Sequence, residues 1–291
     1  MEQQKQIQWF PGHMAKTRRK ITECLPLVDV VTELVDARIP VSSRNPELDS
    51  LTASKPRLIV LNKADLADTG ATRRWIAYFE KQGFAAMTAD GKTGAGMQKY
   101  VPLLRELLAD KLAAKTEKGI KNPVVRSMVV GIPNVGKSSF INRLTEGGKA
   151  KVEDRPGVTR HHQWFKVMGG VQLLDTPGVL WPKFEDETVA RHLAFTGAIK
   201  DQILDIEEMA CLLLELLKTS YPELLTERYK LKEEDMPDGG WELLNAVGRK
   251  RGMLIRGGEV DTERAATMLL DEYRGGKLGR LTLEHPEVTE K

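Results

Sequence analysis

The chain has 291 residues, enough for one large domain or two smaller ones with a buried core. Hydrophobic residues make up 41% and charged residues 29% of it, a composition typical of a folded globular protein and not of a disordered or fibrous one. The net charge is only +3, and because no apolar run approaches the length of a membrane span, we expect no membrane partner.

The first part of the chain alternates between helical and strand-forming segments. Residues 1–7 are polar and lack the apolar core of a signal peptide, and only two cysteines occur, which together favour a cytoplasmic location. The sequence predicts helices at 14–25, 72–82 and 97–115, and strands at 28–36, 57–62, 84–89 and 124–130. This alternation predicts an α/β fold with a doubly wound, mainly parallel sheet.

The last third of the chain has a different pattern. Leucine-rich helical stretches at 206–219, 241–251 and 261–274 are separated by proline or glycine breaks, with no strand between them. We therefore predict an N-terminal tail and basic helix over 1–24, the α/β domain over 25–183, and an all-α domain over 184–291.

A phosphate-binding motif follows the strand at 124–130. Residues 131–138, Gly-Ile-Pro-Asn-Val-Gly-Lys-Ser, have the spacing of a P-loop that leads into a helix. Backbone N–H groups of such a loop converge on phosphate oxygens, while Lys137 neutralises the phosphates and Ser138 binds Mg²⁺. The predicted phosphate-binding residues are Asn134, Val135, Gly136, Lys137, Ser138 and Ser139.

A second motif, Asp175-Thr176-Pro177-Gly178, lies downstream at the end of an apolar run. Asp175 suits a Mg²⁺ site, and the Gly178 N–H can reach a γ-phosphate. Thr159, between the two motifs, is predicted to close over Mg²⁺ and the γ-phosphate and so to act in catalysis. The alternative for Thr159 is an ordinary loop threonine.

Asn62-Lys63-Ala64-Asp65 is typical of a guanine-recognition loop. The Asp65 carboxylate can accept hydrogen bonds from N1 and N2 of guanine, which adenine does not offer. Such a site rejects the wrong base by a factor of roughly 10⁴, because a buried carboxylate would otherwise be left unpaired. The Lys63 stem would lie along the base plane, and Asp90-Gly91 falls where a further base-contacting loop belongs.

The order of the two motifs is reversed relative to Ras-like GTPases, in which the P-loop precedes the base-reading loop. A nucleotide site depends on where its loops lie in space, so the reversed order indicates a circularly permuted GTPase that binds GTP and GDP. Three further segments, Trp9 to Met14, Asp36 to Pro40 and Asp175 to Pro182, extend the match. With them, nearly the whole chain resembles the ribosome biogenesis GTPase A family.

The resemblance implies a bacterial cytoplasmic factor acting late in assembly of the large ribosomal subunit. Its expected partners are the large-subunit precursor and rRNA, and we expect the protein to be a monomer. Related GTPases with an asparagine in the P-loop bind K⁺ beside the phosphates. The resemblance therefore also implies K⁺ at Asn134, the alternative being a plain loop asparagine.

The usual water-positioning glutamine after the second motif is replaced by Val179, so turnover of the isolated protein should be slow. His13 is the candidate that positions or deprotonates the attacking water, because an imidazole titrates near neutral pH. It could instead cap a helix or touch RNA phosphate. Arg38 in Asp36-Ala37-Arg38 is predicted to pair locally and not to act in catalysis.

Basic residues are concentrated in four segments, at 16–20, 111–126, 155–166 and 249–251. Each alone is typical of a solvated helix face, but together they favour contact with RNA. We expect a GTP-hydrolysing assembly factor whose nucleotide state is coupled to an RNA-binding helical domain. The alternative is a nucleotide-dependent binding module whose own hydrolysis is incidental, and a metabolite kinase is disfavoured by the guanine motif.

Overall fold

The computed structural model describes residues 11–145, 163–178, 180, 186–232 and 236–286, with side chains from residue 18 onward. The helices in these ranges are α1 (Pro11–Cys24), α2 (Glu47–Leu51), α3 (Thr69–Lys81), α4 (Tyr100–Leu107), α5 (Ala109–Glu117), α6 (Lys137–Leu144), α7 (Glu187–Phe195), α8 (Ile206–Ser220), α9 (Pro222–Tyr229), α10 (Gly240–Lys250) and α11 (Thr262–Arg274). Short 3-10 turns occupy Leu25–Leu27, Met97–Lys99 and Asp201–Ile203. The strands are β1 (Val30–Asp36), β2 (Arg57–Asn62), β3 (Ala85–Thr88), β4 (Val125–Gly131), β5 (Trp164–Val167) and β6 (Val171–Asp175).

The described strands form one sheet with the order β3-β2-β1-β4-β6-β5. Neighbouring strands are parallel except for β5, which pairs with β6 in antiparallel register. The predicted α/β class and mainly parallel sheet are confirmed. If the strands are counted from β4 and the count continues at the N-terminus, the P-loop strand comes first and β2 comes fifth, as the permuted motif order requires.

The central strands are apolar because helices cover both faces of the sheet. On one face, Val31 and Met128 pack in a cluster with Ile21 of α1. On the same face, Ile59 packs with Trp75 and Phe79 of α3. On the opposite face, the Thr32 hydroxyl of β1 lies 2.8 Å from the Tyr100 hydroxyl of α4. Burial on both faces explains why β1 and β2 contain hardly any polar–apolar alternation.

Parallel pairing brings the carboxyl ends of five strands to the same edge of the sheet. These ends are Asp36, Asn62, Thr88, Gly131 and Asp175. Four of them are the first residue of a sequence motif, and Asp90-Gly91 follows Thr88 by two residues. Ligands of open α/β sheets bind beyond this edge. The fold therefore collects loops that lie far apart in the sequence into one candidate site.

The predicted single helix over 97–115 is wrong in one respect. The chain forms a 3-10 turn, then α4, and a separate α5 after a break at Leu108, where φ is −111° and ψ is 17°. Leu104 and Leu108 are buried, whereas α5 buries none of its residues. The break lets Leu108 remain in the core while the polar second half of the segment lies in solvent.

A second compact unit covers Asp186–Leu281 and consists of α7 to α11. Its core is aliphatic, with Leu213, Leu217, Leu244, Val247 and Leu269 all fully buried. The division differs from the predicted domain 184–291 at the far end, because the described residues 282–286 belong to the first unit. Thr282 is fully buried there, and the Leu283 N–H donates to the Arg38 carbonyl at 2.8 Å. Within the described ranges, the helices are too short or too polar to cross a membrane.

Candidate nucleotide-binding site

The P-loop follows β4 and has the backbone geometry of a phosphate cradle. Gly136 has φ 98°, and a Cβ there would collide with the side-chain amide of Asn62. Asn134 is also left-handed, with φ 57°, and is exposed. Helix α6 begins at Lys137, so the loop directs N–H groups and the positive end of the helix dipole toward the same point.

Asn62 joins the base-recognition loop to the P-loop. Its buried side-chain amide donates to the Val135 carbonyl at 2.8 Å, and its carbonyl oxygen accepts from the Gly91 N–H at 3.2 Å. Asn62 therefore connects three loops that meet at the carboxyl edge of the sheet. Because both polar ends of the side chain are used, its contribution is to fix the distance between the base-reading and phosphate-binding loops.

Lys137 lies at the mouth of the P-loop. Its Nζ donates to the carbonyls of Gly131 and Ile132, both at 2.9 Å. Burial lowers the pKa of Lys137 to about 8, although nearby Asp175 opposes the shift. A Cβ added to Gly178 would lie 3.1 Å from this Nζ, so the second phosphate motif lies directly against the first.

Asp175 provides the observation that tests the predicted Mg²⁺ site. Its Oδ1 is buried and has no hydrogen-bond partner in the described structure, and burial raises the pKa of this carboxyl while Lys137 lowers it. A buried carboxylate oxygen without a donor is costly, and a hard cation would offset that cost. Ser138 is exposed in the first turn of α6, so Asp175 and Ser138 suit Mg²⁺ chemically.

Lys63 of the base-recognition loop is held by the segment that follows β1. Its Nζ lies 2.9 Å from Asp36 Oδ2, and Arg38 binds both oxygens of the same carboxylate at 2.9 and 2.8 Å. Burial would raise the pKa of Asp36, but Arg38 and Lys63 together lower it well below its ordinary value. The predicted local pairing of Arg38 is confirmed, and the pair also anchors Lys63.

The Asp65 carboxylate is half-buried and suits a ligand that donates hydrogen bonds to it. Burial raises the pKa of its carboxyl, and the negative charge of Asp90 raises it further, while Lys92 and Arg38 lower it. A ligand that supplies two N–H donors would stabilise the charged form of this carboxylate. Guanine is such a ligand, whereas adenine is not.

Asp90 and Gly91 have different roles in the loop that follows β3. The Asp90 carboxylate accepts from the backbone N–H groups of Lys92 at 2.7 Å and Thr93 at 3.1 Å, and from the Thr93 hydroxyl. It therefore shapes its own turn. A Cβ at Gly91 would lie 3.2 Å from the Phe140 nitrogen, so this glycine allows the loop to pack closely on α6.

Comparison with known proteins gives the family. The family described as 50S ribosome-binding GTPase matches residues 126–238, a stretch that contains both phosphate motifs but not residues 62–65. Ribosome biogenesis GTPase A of Bacillus cereus is 51% identical over 97% of this chain and 94% of its own length. The protein of that name from Thermotoga maritima is 33% identical over 97% of this chain and 95% of its own. The chain belongs to the ribosome biogenesis GTPase A family.

Solved structures of proteins named YlqF are similar to this chain over nearly its whole length. GDP-bound TM YlqF has a TM-score of 0.61 at 30% identity, and the match covers 92% of this chain and all of that chain. GNP-bound YlqF from T. maritima has a TM-score of 0.63 at 29% identity, covering 94% and 99%. The present chain is thus a ribosome biogenesis GTPase that binds guanine nucleotide and hydrolyses GTP, and the sequence-based expectation of a circularly permuted P-loop GTPase is confirmed.

Of the three residues predicted for catalysis in this GTPase, His13, Lys137 and Thr159, only Lys137 is described together with its side chain. Thr159 and Val179 lie outside the described residues. The sequence predicted that His13 precedes the first helix, but it is the third residue of α1 and so lies inside it. The side chain of His13 lies outside the described part of the chain. The roles of His13 and Thr159 stay predictions.

Two supports of the GTPase site were missed by sequence reasoning. The first is the contact between Lys63 and Asp36, and the second is the packing of residues 282–285 behind the base-recognition loop. The motif Asp36-Ala37-Arg38 was a signal for the first, because a carboxylate at a strand end faces the ligand edge of the sheet. The second has no local signal, since the contacting residues are 214 positions apart.

Proposed function

We propose that this GTPase acts in the bacterial cytoplasm, as a monomer, late in assembly of the large (50S) ribosomal subunit. The observation that carries the proposal is the meeting of the base-recognition loop, the P-loop and Asp175 at one edge of the sheet, in a chain that has Val179 where a water-positioning glutamine is common. A site that binds GTP well but orients water poorly suits a switch that waits for its partner. The match to a family described as 50S ribosome-binding supports the large subunit as that partner.

Within the site we assign nucleotide contacts by chemistry. Lys137 and the N–H groups of Asn134 to Ser139 hold the phosphates, and Asp65 reads guanine. Mg²⁺ would be held by Ser138, Thr159 and Asp175, where it neutralises charge that develops on the phosphates. K⁺ beside Asn134 would add a second positive charge.

We propose that the precursor and its rRNA contact basic side chains of the protein. Exposure and ion pairing distinguish the three basic residues at 249–251. Arg249 and Lys250 are exposed at the end of α10. Arg251 differs, because it pairs with the Glu272 carboxylate and lies 5.5 Å from the Tyr229 ring centre. We therefore assign phosphate contact to Arg249 and Lys250 and a structural role to Arg251.

Coupling between nucleotide state and the helical unit is proposed to run through the chain itself. The segment 179–185 connects the Gly178 loop to α7 and, apart from Leu180, lies outside the described residues. Ordering of such a loop by γ-phosphate and Mg²⁺ is an established type of switch.

The test is phosphate release by the purified protein with and without large-subunit particles. We expect slow release alone and clear stimulation by particles, because the missing water-positioning group is supplied or ordered by the partner. A pull-down of particles should recover more protein with a non-hydrolysable GTP analogue than with GDP. Nucleotide-dependent binding without stimulation would instead support a binding module with incidental hydrolysis.

His13→Ala is the variant that tests the water-positioning residue. We expect it to lower particle-stimulated turnover by roughly 10²-fold or more with GTP affinity nearly unchanged, since the imidazole would act only in the transition state. Turnover, GTP affinity and melting temperature are measured on the same preparation.

The alternatives for His13 give different patterns. A capping role would lower stability by about 1 kcal/mol with a modest effect on turnover. An RNA contact would weaken particle binding and leave basal hydrolysis intact. Normal stimulated turnover with normal particle binding would remove His13 from the mechanism.

A further inference from the structure

The chain leaves the helical unit at Leu281 and continues into a short segment, Thr282–His285, which we call the C-terminal strap. Thr282 is fully buried within the first unit. Its hydroxyl oxygen accepts from the Asp68 N–H at 3.1 Å and the hydroxyl donates to the Ala37 carbonyl at 3.5 Å. One threonine side chain thus connects the segment after β1 with the segment after β2.

The next two residues of the strap, Leu283 and Glu284, form hydrogen bonds with the segment that follows β1. The Leu283 N–H donates to the Arg38 carbonyl at 2.8 Å. The Glu284 carboxylate accepts from the backbone N–H groups of Val41 at 2.6 Å and Ser42 at 3.0 Å. A carboxylate that receives two backbone N–H groups makes charge-assisted hydrogen bonds, which are stronger than neutral ones.

The strap is also fixed to the helix behind the base-recognition loop. The Trp75 indole N–H of α3 donates to the Glu284 carbonyl at 2.9 Å. Asp68 caps the same helix, because its Oδ1 accepts from the Ala71 N–H at 2.5 Å. The strap therefore holds α3 at two points, its N-cap Asp68 and Trp75 in the middle of the helix.

Both segments held by the strap support residues that would meet the base. Arg38 fixes Asp36, which in turn holds Lys63 at 2.9 Å. Asp68 closes the loop that begins at Asn62 and contains Asp65. Asn62 already fixes the first residue of this loop to the P-loop. The strap fixes the last residue of the loop, Asp68.

A loop that is held at both ends loses less conformational freedom when its ligand binds. We propose that the C-terminal strap is a positioning element for guanine nucleotide, keeping Lys63 and Asp65 in their binding geometry and slowing nucleotide release. The proposal rests on the assignment of Asn62 to Asp65 to the guanine base. The hydrogen bonds of Thr282 and Leu283 run to Asp68 and Arg38, so the effect of the strap on nucleotide is transmitted through these two residues.

The experiment compares Thr282→Val and Glu284→Gln with the wild type in the full-length protein. Dissociation of GDP that carries a fluorescent ribose label is followed by stopped flow after addition of excess unlabelled GDP. We expect each variant to release GDP about five- to tenfold faster, equivalent to about 1–1.4 kcal/mol, with a nearly unchanged association rate. Thr282→Ser should restore slow release, because it keeps the hydroxyl.

The matched control is Thr196→Val in the helical unit. Thr196 is also buried and its hydroxyl donates to the His192 carbonyl at 3.0 Å, so the same chemical change is made away from the strap. It should release GDP at the wild-type rate. Melting temperatures are recorded for all variants, and release is measured well below them.

Two outcomes overturn different statements. If Asp65→Ala binds GDP as well as the wild type, the base assignment itself fails. If Asp65→Ala loses GDP while Thr282→Val and Glu284→Gln release it at the wild-type rate, the strap proposal alone fails, even where melting temperatures fall. Should Thr282→Val not fold, Glu284→Gln carries the test, because Glu284 is only partly buried.

Discussion

Lys137→Ala is expected to abolish measurable GTP hydrolysis, with a loss of roughly 10²–10³-fold or more, the range seen when a fixed charge-stabilising group is removed. The Lys137 ammonium is held at the mouth of the P-loop by two carbonyls at 2.9 Å, so it is positioned before the phosphates arrive. Alanine would leave developing phosphate charge uncompensated. Phosphate release at saturating GTP, with and without large-subunit particles, measures the effect.

The control for Lys137→Ala is Lys81→Ala, because Lys81 is an exposed lysine at the end of α3. It should hydrolyse GTP as the wild type does.

Proton uptake on GDP binding gives a second readout of the role of Lys137. Because burial lowers the pKa of Lys137 to about 8 and bound phosphate would raise it again, GDP binding near pH 8 should take up protons. Calorimetry in buffers of different ionisation enthalpy detects this uptake, which should disappear in Lys137→Ala. Full hydrolysis by the variant would contradict the assignment.

Asp65→Ala is expected to remove most of the preference for guanine over adenine, which should be roughly 10⁴-fold in the wild type. The half-buried Asp65 carboxylate has a raised pKa, so it gains strongly from two N–H donors on the base. Without it, GDP binding should fall toward the weak binding of ADP. Isothermal titration with GDP and ADP, and with GTP and ATP, measures the preference.

Asp110→Ala is the matched control for Asp65, because Asp110 is an exposed carboxylate in the first turn of α5. It should bind GDP as the wild type does. Equal affinity of the wild type for ATP and GTP would exclude base reading by Asn62 to Asp65.

Most of the fold class could be predicted from the sequence, because it depends on local patterns. Apolar runs such as 57–62 and 124–130 end at motif residues, and strands buried on both faces need no alternation. The P-loop likewise requires glycines at fixed positions, since Gly136 adopts φ 98°. The reversed order of two such motifs was enough to indicate the permutation.

Boundaries and polar partners were less predictable. The break at Leu108 was missed because the apolar period continues through it, and burial of Leu108 decides the backbone there. Arg251 looked like part of a basic cluster, yet its charge is paired with Glu272. A side chain's partner depends on which helix packs beside it, and the sequence around Arg251 does not contain that information.

The sequence by itself predicted which chemical groups this GTPase would bring to its nucleotide: a lysine for the phosphates, a carboxylate for guanine and a carboxylate for Mg²⁺. Only the tertiary structure decided what holds them. Asn62 reaches Val135 across 73 positions, and Thr282 reaches Asp68 across 214. A motif is set by the backbone conformation of a few consecutive residues. The contact of Asn62 with Val135 exists only because parallel strands bring their carboxyl ends to one edge of the sheet, and that of Thr282 with Asp68 only because the chain after Leu281 belongs to the first unit.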